Sequence, residues 1–224
     1  MSESVLIVGA GSGLSASLAR SCSSKGMKVV LAARNIEKLQ NLKKEIGAIT
    51  IKCDATNIKS VTNLFKKTDK IIGAPNLVIY NPSESLGGSI VDLDPKKAHE
   101  AIDITCYGGF LVAQQAAKRM LKKKRGSIFF TGATASIKGF RESSVFAMGK
   151  FGLRGLAQSL ARELHPQNIH IGHFIIDGGI GRENYGSYKT IHPDSIAKTY
   201  LEFHYQDKSA WSWETELRTS VEEF

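Results

Sequence analysis

The feature that most limits what this chain can become is an alternation. Short apolar runs at 5–8, 28–32, 49–53, 77–80, 127–131 and 169–176 alternate with stretches of helical character at 14–25, 36–46, 58–68, from 94 toward 124, and at 144–164. The apolar runs do not alternate with polar residues, so both of their faces must be covered. Strands of that kind belong in a parallel sheet with helices on both faces. The expected fold is therefore α/β, a doubly wound parallel sheet of six or seven strands, the seventh an edge strand around 213–218. Punctuation supports the helices. Asp94-Pro95 is a capping carboxylate followed by Pro at the first helical position, and Gly126 closes the helix that starts there. Leu153, Leu156, Leu160 and Leu164 form one apolar stripe.

Composition narrows the class. The chain has 224 residues, 42% of them hydrophobic, which suits one domain over 1–224 and excludes disorder as the main state. No apolar run approaches the ~20 residues of a membrane span. The chain enters its first strand directly after Met1-Ser2-Glu3-Ser4, so no secretory leader is expected. Three cysteines without a C-x-x-C pair argue for a reducing cytoplasm, against a disulfide scaffold and a zinc knuckle. The six histidines lack ligand spacing; His170 and His173 fall on opposite faces of one strand, and no metal is expected.

The net charge of +9 admits three readings: a nucleic-acid surface, an anionic ligand, or solubility. Lys118–Arg125 carries six positive charges in eight residues at a helix end, where cations match the helix dipole. It lacks interleaved aromatic or glycine residues, so it reads as a solvated helix end and no nucleic-acid partner is expected.

Gly9, Gly11 and Gly13 lie between the first strand and the first helix. Such a turn brings backbone N–H groups and a helix N-terminus beneath a pyrophosphate, and glycine allows the close approach. The second strand ends in Ala33-Arg34, where dinucleotide folds often carry an acidic residue for the ribose 2′-hydroxyl. An Arg there pairs with a 2′-phosphate, favouring NADP(H) over NAD(H). Asp54 is placed to accept from an adenine amino group. Arg34 as a loop residue and Asp54 as a turn residue remain open.

Here the sequence resembles the short-chain dehydrogenase/reductase family, over about residues 4–182. Gly9-x-x-x-Gly13 is similar to its glycine motif, with Ser15 where a third glycine usually stands. Asn81 sits in the Asn-Asn-Ala-Gly segment, Phe146-Ala-Met-Gly-Lys150 in the Tyr-x-x-x-Lys segment, and Asp177-Gly178-Gly179-Ile180 in the Pro-Gly turn over the nicotinamide. The resemblance implies a Rossmann-like fold and cofactor contacts at Gly9, Gly11, Ser12, Gly13, Leu14, Arg34, Asp54, Ala55, Asn81, Lys150, Gly178 and Ile180. It implies a small carbonyl or alcohol as substrate. It also implies a homodimer or homotetramer built on the helices around 103–122 and 146–164, a short substrate lid at 181–193 carrying Tyr185 and Tyr188, and an atypical tail at 209–224.

The departures are specific. Of the family's four catalytic groups only the lysine is present, as Lys150. The proton-donating Tyr is Phe146, the orienting Ser is Ala133, and the relay Asn is Thr105. Losing a general acid typically lowers a rate 10²–10⁴-fold. Candidate substitutes are Lys150 itself, Thr134, Thr105, Tyr80 and Tyr107, while Ser143 and Ser144 read as helix caps. An NADP(H) oxidoreductase with a non-standard proton donor is the first reading. A catalytically silent NADP(H)-binding sensor or scaffold is the alternative.

Overall fold

A computed structural model describes residues 3–181 and 190–221. Seven strands, β1 (Ser4–Val8), β2 (Lys28–Ala33), β3 (Ile49–Lys52), β4 (Leu77–Tyr80), β5 (Gly126–Thr131), β6 (Ile169–Asp177) and β7 (Glu214–Arg218), form one sheet. Their order is β3-β2-β1-β4-β5-β6-β7 and every pairing is parallel. Order reverses between β1 and β4, which opens a crevice at the carboxyl ends of the strands.

Helices α1 (Leu14–Ser24), α2 (Gln40–Ile46), α3 (Ile58–Ile72), α4 (Pro95–Ile102), α5 (Gly108–Lys123), α6 (Ser144–Leu164) and α7 (Pro193–His204) supply the cover. One apolar layer joins the sheet to α3, α5 and α6 through Phe65, Val112, Ala116, Leu153 and Ala157. The other joins it to α1, α2 and α7 through Leu14, Leu18, Leu42, Ile196 and Tyr200. Both faces of the central strands are buried, as their unbroken apolar sequences require. No helix among the described residues is long and apolar enough to cross a membrane.

Three elements differ from the sequence reading. The helix expected from 94 toward 124 is divided by a wide π-helical turn at Asp103–Tyr107. There the Tyr80 hydroxyl donates to the Ile104 carbonyl, and a Cβ on Gly149 of α6 would lie 2.9 Å from Thr105. Packing against α6 and a side-chain hydrogen bond thus replace the regular ladder. The helix ends on Lys124 in the left-handed region, not on Gly126, which opens β5 with φ +146°. Helix α7 was not read from the sequence, although Pro193 at its first turn and the spacing of Ile196, Ala197, Tyr200 and Leu201 are its signals.

The basic run is also less uniform than expected. Arg119 closes a bidentate pair with Asp69 on α3 and lies 4.9 Å from the Phe65 ring centroid, while Lys123 donates to the Ala74 carbonyl. Lys122, Lys124 and Arg125 are exposed.

Candidate active site

The crevice holds a cleft of about 390 Å³ beside the ends of β1, β2, β3 and β4. Gly9, Arg34, Asp54, Ala55 and Asn81 line it. So does Lys38, which the sequence reading missed; its signal was a second cation four residues after Arg34. Neither Arg34 nor Lys38 forms an ion pair among the described residues. No acidic side chain stands at the end of β2, where Ala33 lines the wall.

The glycine turn is set by its neighbours. Gly9 has φ +80°, and a Cβ there would fall 2.6 Å from the Pro82 nitrogen. A Cβ at Gly11 or Gly13 would meet nothing within 4 Å, so open space fronts the turn. Gly13 caps α1 without a side-chain hydrogen bond, and no acidic residue occupies its first turn, where Leu14 begins the helix and Ser12 precedes the cap. Ser15 is buried and donates to the Gly9 carbonyl at 3.0 Å. It accepts from the Asn81 amide at 2.7 Å, while the Asn81 N–H donates to Val8. The serine in the third glycine's place therefore ties the turn to β4. Asp54 Oδ1 accepts from both the N–H and hydroxyl of Thr56, fixing the loop after β3. An open backbone cradle, a helix N-terminus and two unpaired cations fit an anionic dinucleotide.

The second group gathers at the ends of β5 and β6. Lys150 on α6 is only 2% exposed. Its ammonium donates to the Thr131 carbonyl at 2.8 Å and lies 5.7 Å from the Phe146 ring centroid. Burial pushes its pKa down to about 8. Thr105 is buried in the π turn, and its hydroxyl accepts from the Glu84 N–H at 3.1 Å. Gly178 follows β6 with φ +144°, and Ile180 bridges to Ile191.

Several expected donors have other partners. The Thr134 hydroxyl donates to Asp177, which also pairs with Arg218 at 2.9 Å, so its one proton is committed away from the cleft. Tyr80 is buried, and burial drives its pKa upward. Tyr107 faces outward, stacked on Phe110. Ser143 caps α6 through its carbonyl, which accepts from the Ala147 N–H, and not through its hydroxyl. The Ser144 hydroxyl is buried without a partner among the described residues. The serine side-chain caps expected from the sequence are therefore absent. Tyr185 and Tyr188 lie outside the described residues. Among the described residues no cluster of His, Cys, Asp and Glu is placed to hold a metal.

Comparison with known proteins agrees with this geometry. The chain is 29% identical over 206 residues to an uncharacterised oxidoreductase of Staphylococcus aureus (strain USA300), covering 88% of each chain. It is 34% identical to a short-chain dehydrogenase from Rhodopseudomonas palustris of known structure, with a TM-score of 0.87 over 96% of this chain and 98% of that one. A metagenomic short-chain oxidoreductase crystallised with NADP shares the fold at 24% identity and a TM-score of 0.86, over 99% of each chain. The family model described as short chain dehydrogenase matches residues 3–180. With the parallel seven-stranded sheet, the glycine turn and the Lys150 site, that match makes this chain a member of the short-chain dehydrogenase family.

Proposed function

We propose that this protein is an NADP(H)-dependent oxidoreductase that interconverts a small carbonyl and its alcohol, with Lys150 handling the proton. The observation that carries the reading is Lys150: a buried ammonium at the mouth of the sheet whose pKa lies near 8. A group that titrates close to working pH is suited to give and take protons. Bound in the crevice, the cofactor supplies hydride chemistry.

The residues divide that task. The turn at Gly9, Gly11, Ser12, Gly13 and Leu14 presents backbone N–H groups to a pyrophosphate. Asp54 and Ala55 border the adenine end, and Asn81 braces the turn through Ser15. Arg34 and Lys38 meet a 2′-phosphate, and the absence of a carboxylate at Ala33 removes the repulsion that would select NAD(H). Gly178 and Ile180 border the nicotinamide end, where Lys150 holds the ribose. Phe146 offers no hydroxyl, and its ring centroid lies 5.7 Å from the Lys150 ammonium. The three cysteines are free thiols, in keeping with a cytoplasmic protein.

A homodimer through α5 and α6 fits the exposed apolar side chains of Phe110, Met148 and Phe151 on those helices. A second reading, a silent NADP(H) sensor, is favoured by one observation: the hydroxyl of Thr134, next in sequence to Ala133, is tied to Asp177. The test is to follow NADPH consumption with a panel of small aldehydes and ketones, for wild type and Phe146→Tyr. Turnover by wild type supports the oxidoreductase reading. Tight NADPH binding with no turnover by either protein supports the sensor.

A further inference from the structure

The peptide that leaves β6 begins with two glycines, Gly178 and Gly179, the first at φ +144°. Consecutive glycines give a chain its widest backbone freedom, so nothing intrinsic to this turn fixes its direction. Downstream, the Gly179 carbonyl accepts from the Ile191 N–H at 2.8 Å. Upstream, the anchoring falls on Asp177, the last residue of β6, whose side chain is 11% exposed.

Asp177 is bound from two sides. Arg218, the last residue of β7, is its register partner, and the guanidinium lies 2.9 Å from one carboxylate oxygen. The other oxygen accepts from the Thr134 hydroxyl. Thr134 opens a short 3₁₀ turn, Thr134–Ser136, and its carbonyl accepts from the Ile137 and Lys138 N–H groups. The carboxylate thus joins the turn after β5, the end of β6 and the end of β7 at one point. Arg218 also pairs with Glu216, so the edge strand brings its own carboxylate to the same cation. A carboxylate enclosed to this degree is destabilising once its cation is removed. β7 is the edge of the sheet, with β6 as its one neighbour among the described residues, so the ion pair bears on how the strand is seated.

We propose that Asp177 and Arg218 are positioning residues for the nicotinamide end of the cofactor. Through this ion pair the edge strand sets the direction of the Gly178–Gly179 turn and holds the Thr134 turn against it. This rests on the cofactor reading above, which puts Gly178 and Ile180 beside the nicotinamide. No proton or hydride passes through the pair, and neither residue touches a reacting atom. The link also gives the Thr134 hydroxyl a task other than proton donation. The cleft for the adenosine end is lined from β1, β2, β3 and β4 and includes none of Thr134, Asp177 and Arg218. The two ends of one cofactor should therefore respond differently when the link is cut.

The test is calorimetry on the full chain with two probes: NADPH, and adenosine 2′,5′-bisphosphate, which keeps the adenosine end and lacks the nicotinamide. Arg218→Leu should bind NADPH about tenfold more weakly and the bisphosphate within about twofold of wild type. Arg218→Lys keeps a cation and should hold NADPH within about threefold of wild type. Asp177→Asn leaves an oxygen for Thr134 but no charge for Arg218. Adding it to Arg218→Leu should therefore weaken NADPH by less than about twofold more. NADPH affinity unmoved by Arg218→Leu, both probes weakened in parallel, no recovery with lysine, or additive losses in the double variant each overturn the proposal. A tenfold loss of NADPH affinity in Arg218→Leu with no turnover by wild type sinks the oxidoreductase reading and leaves the link standing. Turnover by wild type with equal NADPH affinity across the variants does the opposite, and a wild type that binds neither probe overturns both.

Discussion

The two halves of the sheet are built from different materials. Around β1, β2 and β3, the buried side chains are Val, Ile, Leu and Ala with a few serines. Function there lies in backbone amides, a glycine with φ +80°, and two cations at the rim. Around β5, β6 and β7, the interior holds Lys150, His170, His173 and Asp177. The nucleotide half binds charge at its surface; the reaction half stores charge inside. Burying polar and charged groups is costly unless they are paired: Glu214 partners His173, Arg218 partners Asp177, and backbone carbonyls of Thr131 and Ser212 serve Lys150 and His170.

Substitutions can break this contrast. The largest expected effect is at Lys150: Lys150→Met should lower kcat by about 10²–10⁴-fold, measured at saturating NADPH and substrate. Next is the nucleotide turn. Gly9→Ala forces a side chain into a left-handed backbone and against Pro82. It should cost roughly 2–4 kcal/mol and lower Tm by roughly 4–16 °C in thermal unfolding.

Acid should open the reaction half first. Burial, with its ring stacked on Trp211, holds His170 down at about 4, below its ordinary 6.5, against the opposing bond to the Ser212 carbonyl. Its folded pKa is the lower one, so its contribution is complete above pH 6.5. It is lost as pH falls from there toward 4, by up to about 3 kcal/mol, because the unfolded chain takes up the proton that the fold refuses. Urea unfolding at stepped pH reads this slope, and His170→Phe should flatten it. The smallest effect sharpens cofactor choice. Arg34→Ala and Lys38→Ala should each weaken NADPH binding about tenfold in calorimetry and leave NADH within about twofold.

The nucleotide half was legible because its signals are local. Glycines between a strand and a helix, and Arg34 after a strand, are read from neighbours in sequence. Both-face apolar runs disclose the sheet and the helical cover other than α7. The missed residue there, Lys38, waited on the short 3₁₀ turn at Glu37–Leu39 that brings it to the cleft. The reaction half depended on distance. That His173 faces Glu214 follows from the β6–β7 register, 41 residues apart, which no local pattern encodes. Thr134 stood beside the missing serine in sequence, yet Asp177, 43 residues away, takes its proton. The π turn at Asp103–Tyr107 depends on Tyr80, so periodicity alone reads one long helix.

The measurement that bears most directly on the central claim is the pH dependence of single-turnover NADPH oxidation by wild type with a reactive aldehyde. A Lys150 acid with a pKa of about 8 predicts a rate that is level below that pH and falls about tenfold per unit above it. Saturated NADPH binding with no oxidation at any pH, or a rate that stays flat to about pH 10, would contradict it.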